Sequence, residues 1–144
     1  MPAKRTSHAV YDTKYHLVWA PKYRQWIVRE DIRRRLEQVL RQIAEDFNFE
    51  LVELEVAKEH VHVFLTFPPR YSIAKVVGVF KSISASQVFR EYPELKKHLR
   101  KREFWEDGYF VWTVGDAVTA AAVVERYIRY HRHEEHEVKQ LKLF

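Results

Sequence analysis

Apolar residues alternate in some stretches of the chain and recur at helical spacing in others, and the two periods lay out an order of elements. From His8 to Trp19 a loose alternation of Val10, Tyr15, Leu17 and Trp19 predicts a first strand, ended by Pro21-Lys22-Tyr23-Arg24. From Asp31, the positions Ile32, Leu36, Val39, Leu40, Ile43 and Phe47 define one face of a helix, with Arg33, Arg34, Glu37 and Arg41 on the solvated face. Leu51, Glu53 and Glu55 then oppose Val52, Leu54 and Val56, the pattern of a strand with one wet face. A turn at Ala57-Lys58-Glu59 leads into Glu59–Phe67, so these two strands form a hairpin closed by Pro68-Pro69. Ser72 is placed to cap a second helix through about Arg90, with Ile73, Val76, Val77, Phe80, Ile83 and Val88 as its core stripe. Glu91 to Arg102 is basic and irregular, Tyr109–Val114 is a fourth strand closed by Gly115-Asp116, and a last helix runs from about Val118 past His131.

That order, β-α-β-β-α-β-α, predicts an α+β fold: a ferredoxin-like (RRM-like) antiparallel sheet with both inner helices on one face, plus a C-terminal helix. The first and third strands lie at the centre of such a sheet. Side chains two apart on a strand share a face, so Val61, Val63 and Leu65 pack under the helices while His60 and His62 project from the opposite side. The bare face is left for the last helix. Residues 1–144 are one domain's worth of chain.

Composition narrows the function classes. Hydrophobic residues are 47% and aromatic ones 15%, enough for a core, and charged residues at 31% cover a solvated surface. No apolar run is long enough to span a membrane, and the basic start Met1-Pro2-Ala3-Lys4-Arg5 lacks the apolar segment of a signal peptide. Cys is absent, which excludes disulfides and thiolate metal sites, and the expected compartment is the cytoplasm. A net charge of +5 favours polyanionic partners. With only 3 Gly there is no phosphate-cradling loop, which argues against ATP or dinucleotide binding.

His60 and His62 make half of a metal site, and common divalent ions want four to six ligands. A His-x-His pair alone is weak evidence in a chain with 8 His, and His131-Arg132-His133 matches it too. Glu59 points away from His60 on a regular strand and is set aside as a ligand. Tyr127 and His131 stand four apart on one face of the last helix, beside the apolar stripe of Val123, Val124 and Ile128. Packed over the bare sheet face, that helix brings a phenol and a third nitrogen to the histidine pair. On spacing alone, a boundary tyrosine and a helix-end histidine held by the dipole are the commoner reading. A phenol with its ordinary pKa of about 10 is a poor nucleophile at neutral pH. A divalent ion on a scissile phosphate offsets charge and orients an in-line attack, giving a phosphotyrosine ester that conserves the phosphodiester's energy. Lys22, Arg24, Arg70, Lys75, Lys81 and the run from Lys96 to Arg102 are candidates for tracking DNA phosphates, each of them otherwise a solvated charge, and Trp112 is a candidate for base stacking or for the core.

Several segments together resemble the small single-tyrosine HUH transposases (TnpA type) of insertion sequences 200 and 605. They are Tyr15-His16-Leu17-Val18-Trp19-Ala20-Pro21-Lys22-Tyr23-Arg24, Glu59-His60-Val61-His62, Tyr71-Ser72-Ile73-Ala74-Lys75-Val76-Val77-Gly78, Gly108-Tyr109-Phe110-Val111-Trp112-Thr113-Val114-Gly115 and Tyr127-Ile128-Arg129-Tyr130-His131. The resemblance implies cleavage and rejoining of single-stranded DNA at insertion-sequence ends, with a transient 5′-phosphotyrosine and a free 3′-hydroxyl. It implies Tyr127 as nucleophile, His60 and His62 as ligands of Mg²⁺ or Mn²⁺, subterminal DNA hairpins as targets, and a homodimer whose tyrosine helix can complete the partner's site. The family usually has Gln where His131 stands, and an imidazole there shifts preference toward Mn²⁺ or other transition ions. Tyr130 competes with Tyr127 for the nucleophile's role.

Three other readings stay open. A ferredoxin-like nucleic-acid-binding module would bind without metal-dependent cleavage, a small-molecule metallohydrolase would have no use for Tyr127, and a domesticated HUH nuclease would cut DNA without moving an element.

Overall fold

The computed structural model describes residues 3–23, 29–98, 103–113 and 119–129, with the side chains of 97 and 98 left aside. Two short strands come first, β1 (Lys4–Arg5) and β2 (Val10–Tyr11). Then follow β3 (Tyr15–Trp19), helix α1 (Glu30–Asp46), β4 (Glu50–Val56), β5 (Val61–Thr66), helix α2 (Ile73–Glu91), a 3₁₀ segment (Pro93–His98) and β6 (Phe110–Trp112). Residues 120–129 are helical and are called α3 here.

β3 to β6 form one sheet in the spatial order β4-β5-β3-β6, antiparallel at each junction. This is the ferredoxin-like arrangement expected from the element order, with the strand after the first helix at one edge and the last strand at the other. β3 and β5 are central. Leu17, Trp19, Val61, Val63 and Leu65 are buried on one face with Ile32, Leu36, Leu40, Val76, Val77 and Phe80 of the two helices. At ~1.5–3 kcal/mol for each large side chain taken out of water, this layer is the main favourable term in folding.

Local signals explain the boundaries. Ser72 is extended (ψ 157) and its Oγ accepts a hydrogen bond from the Lys75 amide, so α2 starts where the cap allows. α1 ends because Asn48 takes a left-handed conformation (φ 58), which Asn tolerates. The Phe49 amide then reaches back to the Ala44 carbonyl at 2.8 Å, the bond that closes a Schellman motif. Arg35 ties the two helices together through Glu91 at 2.9 Å.

Four expectations need correction. The first strand does not run from His8: Thr6 and Ala9 close a tight turn between β1 and β2, and Asp12-Thr13-Lys14 separates β2 from β3. The alternation of β4 is broken by an irregularity between Leu51 and Glu53, which puts Leu51 opposite Leu65, on the core side with Leu54, and leaves Val52 42% exposed. In α2, Ile83 is 38% exposed, while Val79, Ser84 and Phe89 are buried, because a second face of this helix meets the segment around Phe104 and Trp105. There the Trp105 indole donates to the Ser84 hydroxyl at 2.9 Å, an interaction that apolar spacing does not register. The fourth strand is shorter than expected, Phe110–Trp112. The Gly115-Asp116 closure and both ends of the expected last helix lie outside the described residues.

Candidate functional site

The sheet face away from α1 and α2 is built by strand parity. Val18 pairs with His62 and with Phe110, and His62 pairs with Glu55, which makes one row across the sheet. His16 pairs with Phe64 and with Trp112, which makes the next row. Because Tyr15, Leu17 and Trp19 of β3 and Val61, Val63 and Leu65 of β5 take the core parity, the imidazoles of His16 and His62 fall on this face. Both are buried, at 1% and 0% exposure.

His62 and His16 are joined. His16 Nδ1 and His62 Nε2 lie 3.0 Å apart, and the rings are nearly parallel (7°) with centroids 5.2 Å apart. His16 also stacks on Phe64 at 4.0 Å. His62 Nδ1 makes no hydrogen bond among the described residues, and neither does His60 Nε2. His60 is half-buried and sits just before β5, where its carbonyl accepts from the Ala57 amide at 2.9 Å. It therefore belongs to the hairpin turn and not to the regular strand, as does Glu59.

Both histidines are held toward the neutral form. Burial, then the positive potential of His16 and His60, pushes His62 down to about 4. Burial lowers His60 as well, against the opposing pull of the Glu55 and Glu59 carboxylates. Neutral imidazoles keep the lone pairs that metal ligation requires. The sign of the pH dependence follows. The unfolded chain takes up these protons near pH 6.5, the folded chain only at lower pH, so the folded state loses stability as pH falls from about 6.5 toward 4. For His62 the loss is on the order of 3 kcal/mol. Thermal unfolding at pH 7.5 and at pH 4.5 measures it, with a clearly lower Tm expected at the lower pH.

α3 covers part of the same face. Val123 is fully buried, the Tyr127 ring lies 6.3 Å from that of Phe110, and the Arg126 guanidinium sits 4.9 Å over the Trp112 ring. Tyr127 is half-buried. Phe110 and His62 share a row but are two strands apart, roughly 10 Å at ordinary strand spacing. The helix thus brings Tyr127 to the sheet face that carries His16 and His62.

Among the described residues no group of three His, Asp or Glu could hold a metal ion. The expected third ligand, His131, lies outside the described residues, as do Tyr130 and Arg24. The donor set among the described residues is therefore two imidazoles held toward the neutral form, each with a ring nitrogen that makes no hydrogen bond to those residues. It fits part of a divalent-ion site, with the remaining positions left to other groups.

The phosphate candidates divide. Lys22 is paired with Glu103 at 2.6 Å, which raises its pKa. Lys81 donates to the carbonyls of Glu106 at 2.8 Å and Gly108 at 2.6 Å, fixing the approach to β6, and burial lowers its pKa. Arg70, lying 4.9 Å over the Tyr71 ring, and Lys75 are exposed at the start of α2.

Residues 9–131 match the family model described as "Transposase IS200 like". The chain belongs to the IS200-like transposase family. It is 34% identical over 140 residues to the transposase for insertion sequence element IS200 of Salmonella typhimurium, covering 97% of this chain and 90% of that protein. The ISDra2 transposase TnpA of Deinococcus radiodurans is 32% identical over 126 residues, 88% of this chain and 89% of its own. A crystal structure from Deinococcus radiodurans superposes with a TM-score of 0.74 at 34% identity, over 88% of this chain and 96% of that one. A REP-associated tyrosine transposase bound to a REP hairpin shares the fold, with a TM-score of 0.53 at 13% identity over 89% of this chain and 67% of that one. Membership makes the chain a DNA transposase, an enzyme of DNA cleavage and strand transfer. No helix among its described residues is long and apolar enough to cross a membrane.

His16, which lies against His62 on this face, was not singled out by the spacing of the histidines. Its signal was present: Tyr15, Leu17 and Trp19 fix the core parity of β3, and His16 falls on the other parity, the one His62 occupies.

Proposed function

We propose that the chain cleaves and rejoins single-stranded DNA at the ends of its insertion sequence, using Tyr127 as nucleophile and His60 and His62 to hold a divalent cation. The observation that carries the reading is the shared sheet face. His62 lies on the sheet face that the helix bearing Tyr127 covers, His60 adjoins it at the hairpin turn, both are held toward the neutral form, and each has a ring nitrogen without a hydrogen bond among the described residues. Mg²⁺ or Mn²⁺, when bound, would neutralise charge on the scissile phosphate and polarise it.

The chain's own residues do the rest. The Tyr127 Oη attacks phosphorus, the bond from phosphorus to the 3′-oxygen breaks, and the phenolic proton is lost as the 3′-hydroxyl gains one. The 5′-phosphate stays on the tyrosine until a 3′-hydroxyl attacks it, restoring a phosphodiester and the free phenol. Arg70 and Lys75 are exposed and suited to phosphates, whereas Lys22 and Lys81 are already engaged within the chain and Arg24 lies outside the described residues. His131 as third ligand belongs to the same proposal. So do DNA hairpins as targets, in keeping with a fold relative bound to a hairpin. A homodimer, in which one subunit's Tyr127 can serve the other's histidines, is also part of it.

The test is to incubate the protein with end-labelled single-stranded oligonucleotides carrying element-end hairpins, with Mn²⁺ or with a chelator, and to run a denaturing gel. A metal-dependent protein–DNA adduct on single strands, absent on duplex, is expected. Binding without any adduct would replace this reading with that of a nucleic-acid-binding module.

A further inference from the structure

The geometry points to His16 as a positioning residue that fixes the ring orientation and tautomer of His62, an inference that rests on the proposed metal role of His62. Three observations carry it. The His16 Nδ1 to His62 Nε2 separation of 3.0 Å is a hydrogen bond, so one ring must supply the hydrogen and the other the lone pair. Both rings are buried, which keeps bulk solvent from that bond. His16 is itself held, stacked at 4.0 Å and 2° on Phe64 and tilted against Trp112 at 6.3 Å.

A ligating histidine presents a lone pair from one nitrogen, and the hydrogen bond at its other nitrogen decides which one. His62 Nδ1 has no hydrogen-bond partner among the described residues, so the bond to His16 is the contact that selects the His62 tautomer. When His62 Nε2–H donates to His16 Nδ1, the Nδ1 lone pair of His62 is left for a cation. The Phe64 ring acts as a backstop, because a sliding His16 would lose the stack. His16 in turn is pinned by strand register, Tyr15 to Leu65 and Leu17 to Val63. Its role is thus built into the central strand pair and needs no loop.

The experiment uses the full chain with His16→Phe, which retains a ring for the Phe64 stack but offers no nitrogen, and His16→Gln, whose amide oxygen can accept from His62 Nε2. Ring nitrogen NMR shifts of the metal-free protein report the His62 tautomer, and titration with Mn²⁺ reports affinity. The expectation is a mixed or inverted His62 tautomer in His16→Phe with Mn²⁺ affinity lowered roughly 10- to 100-fold, and partial recovery of both in His16→Gln. A His62 tautomer and Mn²⁺ affinity equal to the parent's in His16→Phe would overturn the inference. If His16→Phe does not fold, His16→Met, which fills similar volume but offers no nitrogen or oxygen to His62 Nε2, decides: a mixed or inverted tautomer supports the inference, the parent's tautomer overturns it. If the parent binds no Mn²⁺, the metal reading has failed on its own, while the tautomer measurement still judges His16.

Discussion

Tyr127→Phe is expected to bring the covalent adduct with single-stranded DNA below detection while leaving DNA binding within a few-fold of the parent. The substitution removes one oxygen. The ring contact with Phe110, 6.3 Å between centroids, depends on the ring and survives it. Tyr127 is half-buried, so the stability change should stay within about 1 kcal/mol, the scale of a single hydrogen bond. Chemistry has no such latitude, because without the phenolic oxygen there is no atom to carry the phosphate. The label position makes the result specific. If the adduct is a 5′-phosphotyrosine, the DNA 3′ of the nick stays with the protein and the DNA 5′ of it leaves with a free hydroxyl. A 3′-end label should therefore migrate with the protein and a 5′-end label should not. An adduct that persists in Tyr127→Phe moves the nucleophile to another tyrosine, Tyr130 first. An adduct that retains the 5′-end label overturns the polarity of the mechanism.

The sheet order and the helix-covered core were legible because they rest on period and on topology rules that tertiary context does not reverse. Leu17, Val61, Val63 and Leu65 alternate, Ile32 to Ile43 recur at helical spacing, and two crossovers leave β3 and β5 in the centre. What was lost is what period cannot carry. The irregularity at Val52 shifts the parity of β4 by one residue, and nothing in Leu51-Val52-Glu53 announces it. Ser84 reads as a small polar residue on a helix until Trp105 arrives from 21 positions away to donate to it. Lys81 reads as a surface cation, yet two backbone carbonyls capture its ammonium. The spacing of the candidate ligands His60 and His62 reads as a pair of equals, and their inequality was not legible in it. One is half-buried in a turn and the other fully buried on a central strand, paired with His16. That pairing joins residues 46 apart in sequence, and only the strand register brings them together.

This inequality shapes the second large effect. His62→Ala is expected to lower Mn²⁺ affinity by at least about 100-fold, more than the loss of an outer-shell partner, and to abolish the adduct. Its consequence for folding is a separate matter with two opposed parts. Truncating a fully buried ring opens a cavity and strips His16 of a hydrogen-bond partner, which costs about 1–3 kcal/mol at neutral pH. The same change removes a group whose protonation the folded state resists, so the fall in stability between about pH 6.5 and 4 should become shallower. The Tm difference between parent and variant should accordingly narrow on acidification. His60→Ala separates the two effects. That residue is half-buried at the hairpin turn, so its loss should cost less stability yet weaken the metal site comparably. Retention of both Mn²⁺ affinity and adduct formation in His62→Ala would remove the histidine pair from the chemistry, whatever its part in the sheet. A Tm gap that stays constant from pH 7.5 to 4.5 would instead show that His62 is not held neutral by its burial, and the lone pair on which its ligating role depends would lose its physical basis.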